Sequence, residues 1–203
     1  MSTPYERTGR TRQKRRTRDA LVAAARDLVA RGGAAPTVEA AAQAAAVSRT
    51  TAYRYFPSQR ALLVAAHPET TASTLVPAEA GADPEERLLG AVTAFIRIVV
   101  DTEQQQRTML RLSLDPETFS ESLPLRQGRA IAWFEEALAP LQGRLTDAEI
   151  HRLALSVRSA VGIESLVWLT DIAGLTRAEA AERMLWVARA VLLQALADAD
   201  RIR

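Results

Sequence analysis

A chain of 203 residues with 48% hydrophobic and 25% charged side chains can bury one large core or two small ones, which excludes disorder throughout. It holds no cysteine and only two histidines, His67 and His151, so disulfides, thiolate metal sites and cysteine nucleophiles are excluded and little remains for histidine catalysis. The net charge of +2 hides a division: residues 1–66 carry 12 Lys+Arg against 4 Asp+Glu, whereas residues 67–203 carry 14 against 20.

In chain order, the first 18 residues, MSTPYERTGRTRQKRRTR, read as a basic tail. They lead into no uncharged apolar core with a cleavage site, so a secretory signal is not expected and a cytoplasmic location is. Residues 15–31 place Ala20, Ala24 and Leu28, with Leu21 and Ala25, at helical steps and stop at Gly32-Gly33. Thr37 is the expected N-cap of a short helix over 38–44, Ser48 of another over 49–55, and Ser58 of a fourth ending near His67-Pro68. Further helices are expected near 84–101, 104–114, 124–139, 146–173 and 176–199, and no stretch alternates with period two for long enough to argue a strand. The expected fold is all-α with about nine helices, divided into a three-helix amino-terminal domain within 1–66 and a larger helical domain over 67–203. No uncharged apolar run approaches the roughly 18 residues of a membrane-spanning helix, so no membrane partner is expected.

Residues 37–56, TVEAAAQAAAVSRTTAYRYF, combine two capped short helices and a tight connection, the helix-turn-helix arrangement. Val38, Ala41, Ala42, Val47, Ala52 and Phe56 can share one small core. That leaves Arg49, Thr50, Thr51, Tyr53, Arg54 and Tyr55 outward on the second helix, a face of donors and aromatics with no acid among them. Such a face, on a positively charged third of the chain, suits double-stranded DNA. Arg49 can reach a guanine edge, Thr50 and Thr51 thymine methyls or phosphates, and the two tyrosine hydroxyls backbone oxygens, with the Ser48 end of the helix nearest the groove. The tail cations Arg7, Arg10, Arg12, Lys14, Arg15, Arg16 and Arg18 can add phosphate or minor-groove contacts.

These residues resemble the TetR family of bacterial transcriptional regulators. The likeness rests on Thr37 and Val38, on AAVS at 45–48, on Thr51-Ala52-Tyr53-Arg54-Tyr55-Phe56, and on Ser58-Gln59-Arg60-Ala61-Leu62. The resemblance implies phosphate contact by Thr37 and Tyr53 and groove contact by Ser48, Arg49, Thr50, Thr51 and Tyr55. The chain departs from the pattern at Ala46, where glycine is usual, at Ala52, where leucine is usual, and at Gln59, where a phosphate-contacting lysine is usual. Arg60 is the neighbouring cation that can take over that contact.

In the larger domain, the helix near 176–199 is apolar on nearly every side and asks for burial on two faces. With the helix near 146–173, whose seam is Leu155, Gly162, Ser165 and Leu169, it can form a four-helix bundle between two copies, a twofold homodimer on a near-palindromic operator. The resemblance also implies a small-molecule effector cavity, with Phe95, Met109, Trp133, Phe134, Glu164 and Trp168 as candidate wall residues. Glu164 needs a partner or a ligand there, and Arg158 could be that partner but lies on a different stripe. The combined expectation is a repressor released from its operator by ligand, with an activator or a protein-controlled regulator as the alternative. An all-α enzyme is the distant alternative: paired Glu-x-x-His elements, a nucleophile elbow, a P-loop and a dinucleotide fingerprint are all missing, so no catalytic residue, metal or cofactor is expected.

Overall fold

The structure, a computed structural model, describes residues 4–31, 35–67, 72–114 and 128–202. Among them the regular elements are helical: α1 Pro4–Ala30, α2 Val38–Ala44, α3 Arg49–Tyr55, α4 Gln59–Ala66, α5 Pro84–Asp101, α6 Glu103–Ser113, α7 Arg129–Leu138, α8 Asp147–Ala160, α9 Ile163–Val167 and α10 Arg177–Ile202. A short 3-10 turn (Ala139–Leu141) follows α7, and a π-helical turn (Trp168–Ile172) continues α9. The all-α expectation holds. The chain divides into two compact units, one of residues 1–70 with 104–126 and one of residues 71–103 with 127–203.

Most starts are where a side chain supplies the missing acceptor. Thr37, Ser48 and Ser58 accept from the amides of Ala40, Thr51 and Ala61, and Asp83 accepts from Glu85 and Glu86 ahead of Pro84 at the first turn of α5. Two expectations need correction. Helix α1 starts at Pro4 rather than near residue 15, so the basic tail is helical: residues 4–14 lack apolar periodicity and include Gly9, but Pro4 suits a first helical turn and Arg, Lys and Gln are good helix formers. The helix expected over 146–173 breaks at Val161-Gly162, where Gly162 takes φ 131 and ψ −169, a conformation open only to glycine. The start of the helix expected from 124 lies outside the described residues.

In the first unit, Leu21, Val22 and Ala25 of α1 pack with Val38, Ala41 and Ala42 of α2, Ala52 of α3, Phe56, and Leu62 and Ala66 of α4. The alanines let four short helices approach closely, and Phe56, Leu21 and Leu62 supply the bulk. Arg26 of α1 donates through Nε to the carbonyl of Ala66, closing the end of α4. Helix α6 belongs to this unit as well, contrary to a single cut near residue 66: Met109 is buried with Val29, Leu63 and Val64, and Gln105 donates to the carbonyl of Arg26.

The second unit is a bundle in which α5 packs on α7 and α10, and α8 on α7 and α10. Its interior holds Leu88, Val92, Phe95 and Ile96 from α5, Trp133, Phe134 and Leu138 from α7, Ile150, Leu153 and Val157 from α8, and Ala180, Met184, Ala188 and Leu192 from α10. Helix α10 is therefore buried on one face, while Trp186 and Leu193 on its other side stay exposed. By length and mean hydropathy alone, Asp147–Ile172 is apolar enough to cross a membrane, which the count of uncharged runs missed. In the structure this stretch is interrupted at Gly162 and lends its inner face to the bundle.

Candidate DNA interface

The connection from α2 to α3 is built by backbone bonds from Ala45 to Ala41, from Ala46 to Gln43 and from Val47 to Ala42. It passes through Ala46 at φ 53, left-handed backbone that an L side chain adopts at a cost, which is why glycine is the commoner residue there. Val47 packs against the core, as its place in the turn predicts. Helix α3 then buries only Ala52 and turns Arg49, Thr50, Tyr53 and Arg54 outward.

The outward side chains are not all equivalent. Ser48 accepts from the Thr51 amide at 3.2 Å and donates to Thr51 Oγ1 at 2.9 Å, so this pair fastens the start of α3. Tyr55 is half-buried against the core, whereas Tyr53 is exposed. Tyr53 donates its hydroxyl proton to Glu39 Oε1 at 2.6 Å, and Arg49 Nη2 pairs with that same oxygen at 2.9 Å. The Arg49 guanidinium lies over the Tyr53 ring, 5.8 Å from its centre. The hydrogen bond from Tyr53, then the amide of Glu39 itself, then Arg49 and the Thr37 hydroxyl hold the Glu39 carboxyl below the usual carboxylate range. The same hydrogen bond pushes the Tyr53 phenol up. Sequence reasoning missed Glu39, because the absence of acid was judged on α3 alone; Glu39 follows the inward Val38 on α2 and is carried to the α3 face by the crossing of the two helices.

Gln59 donates to the carbonyls of Ala35 and Pro36 at 2.8 and 3.2 Å, tying α4 to the entry of α2. Arg60 is half-buried on the same helix. Along α1, Arg12, Lys14, Arg15, Arg16 and Arg18 are exposed; Arg15 pairs with Asp19 and Arg18 lies 5.4 Å from the centre of the Phe56 ring. A short, capped helix with an exposed polar face, set on a second helix by a partly buried turn residue, suits entry into a major groove.

Residues 21–66 match the family profile described as bacterial regulatory proteins, tetR family. Over this domain the chain is similar to the TetR family. Among solved structures, a TetR transcriptional regulator from Rhodococcus sp. RHA1 is similar with a TM-score of 0.60 at 18% sequence identity, over 89% of this chain and 98% of that one, a likeness of fold. No curated protein matches the sequence.

Within the matched region the chain departs from the family motif at α4, where the Gln59 amide is engaged with backbone carbonyls in place of a lysine. The residues suggested as effector contacts fall in both units. Met109 belongs to the first unit; the others belong to the second. Phe95 and Phe134 meet edge to face with centres 5.7 Å apart, and Trp133 is buried with its indole N–H donating to the carbonyl of Ser73. Glu164 and Trp168 instead line an open groove with Ala160, Leu169, Met184 and Trp186. Glu164 does find Arg158, at 3.4 Å, because the break at Gly162 changes the phase of the helix between them; the guanidinium also donates to the carbonyl of Val161 at 2.8 Å and lies over the Phe95 ring.

Proposed function

We propose that this TetR-family regulator is a homodimeric repressor that occupies a near-palindromic operator through α3 and is released by a small-molecule effector held in the second unit. The observation that carries the DNA reading is the helix-turn-helix itself: Val38, Ala41, Ala42, Ala52 and Phe56 are buried together while Arg49, Thr50 and Tyr53 face solvent. Thr37, Ser48, Thr51, Tyr55 and Arg60 complete the contacting set, Ser48 and Thr51 chiefly by fixing the start of α3. The exposed cations of α1 add phosphate contacts of no sequence preference.

Pairing is supported by the apolar surface of the last helices. Leu155, Trp168, Ile172, Trp186 and Leu193 are 42%, 58%, 72%, 61% and 47% exposed, more large apolar surface than a lone chain ordinarily leaves to water. A second copy joined through α8 to α10 covers it and sets two α3 helices on one duplex. For the effector, the buried aromatic group of Phe95, Trp133 and Phe134, with Arg158 beside it, supplies apolar bulk and one cation. A ligand releases DNA only if it binds the released state more tightly than the operator-bound one.

The test is retardation of duplex fragments from upstream of the chain's own reading frame, with the protein's mass in solution measured alongside. Binding of two chains per near-palindromic site is expected. A chain that retards none of these fragments at low salt overturns the reading.

A further inference from the structure

On α3, two of the donors suited to DNA, Tyr53 and Arg49, are already engaged by the chain itself. Between Thr37 and Phe56 the one acidic residue is Glu39, and its Oε1 receives both the Tyr53 hydroxyl at 2.6 Å and Arg49 Nη2 at 2.9 Å. These are the lengths of charge-assisted bonds to an anionic oxygen, the geometry a phosphate offers. A phenol has a single proton to donate, so Tyr53 cannot serve Glu39 and a phosphate at once. Arg49 retains further donors, while its guanidinium lies over the Tyr53 ring, 5.8 Å from its centre. The Glu39 and Arg49 side chains are 38% and 73% exposed, so the pair adds little to folding, and the carboxylate faces the solvent that DNA would displace.

We propose that Glu39 is an internal counter-charge that holds Arg49 and Tyr53 in the DNA-free chain and yields them only when a duplex puts a phosphate in its place. The inference rests on the DNA reading above and adds a function to it. A carboxylate beside the contact opposes any polyanion equally, so it lowers casual binding to phosphate backbone. Only a site that supplies base contacts as well as charge makes up the loss.

The test uses the full chain, its Glu39→Gln variant, a random-sequence duplex and a duplex selected by the wild-type chain from a random pool. Glutamine keeps the shape and can still accept from Tyr53, so only charge is removed; matching thermal melts confirm that folding is retained. Removing one opposing charge is expected to steepen the slope of log K against log salt by about 0.9, equivalent to about eightfold tighter binding of the random duplex at 0.1 M salt and a vanishing gain toward 1 M. The selected duplex is expected to gain no more than the random one, so discrimination does not rise. Unchanged affinity and slope for the random duplex overturn the proposal. So does a variant that loses the selected duplex while binding the random one as before, since Glu39 is then a brace that aims Arg49 at a base. If the wild-type chain binds neither duplex even at low salt, the DNA reading itself falls, an outcome distinct from either.

Discussion

Replacing Gly162 with alanine tests the helix break at the centre of the second unit. Its φ of 131 and ψ of −169 place an L residue where backbone strain is about 1–3 kcal/mol. The added Cβ would also stand 2.6 Å from Arg158 Nη1 and 3.2 Å from Glu164 Oε2. The guanidinium can swing away only by giving up its bond to the carbonyl of Val161, a charge-assisted bond whose loss is about 1.5–3 kcal/mol. Together the two effects predict destabilisation of about 3–5 kcal/mol, or a melting temperature lowered on the order of 10 °C for a chain of this size. The assay is urea or thermal unfolding followed by circular dichroism, with Arg158→Ala as the second arm. In that background the clash with Arg158 is absent and only the looser Glu164 contact remains, so Gly162→Ala should cost about 1–3 kcal/mol, chiefly backbone strain. If Gly162→Ala unfolds within about 0.5 kcal/mol of the parent, the break is a soft joint and the strain argument is wrong.

Arg49→Ala should relax preference at one operator position by about 1–3 kcal/mol, while Tyr53→Phe should weaken selected and random duplexes alike; competition binding against substituted sites separates the two. Ala46→Gly should stabilise the first unit by up to about 1 kcal/mol, the relief of left-handed alanine less the greater freedom glycine gains on unfolding, as read in denaturant midpoints. Glu149 and Glu179 complete capping interactions with Thr146 and Thr176 at the starts of α8 and α10, and the bonds from those threonines lower both carboxyl groups below their ordinary value. Their stabilising effect is therefore full above the ordinary carboxyl range near pH 4.3 and fades as pH falls through the lowered values, so Glu149→Gln and Glu179→Gln should flatten the acid limb of stability against pH. Trp186→Glu should leave the fold melting normally but shift the mass in solution from two chains to one; a persistent dimer places the pairing surface elsewhere.

Helices α2 to α4 were legible because each opens on Thr or Ser, side chains whose oxygen meets an amide the helix leaves unpaired. The start of α1 was not, since arginines carry no apolar stripe that says where a helix begins. The break after Val161 stayed hidden for the opposite reason: the apolar spacing runs through Gly162 uninterrupted, and a glycine on a small-residue seam suggests close packing as readily as a turn. Glu164 consequently seemed to lack a partner that the break supplies. Glu39 escaped because its role lies between helices 14 positions apart from Tyr53, and spacing along one helix does not report crossings.

Gln59 joins the root of α4 to the Ala35 and Pro36 carbonyls through an uncharged amide. Counterions weaken attraction between formal charges far more than such neutral bonds. A rise in cellular potassium would thus loosen the grip on a polyanion while leaving the gripping tool in shape, so that the reader can land, depart and land again without rebuilding itself.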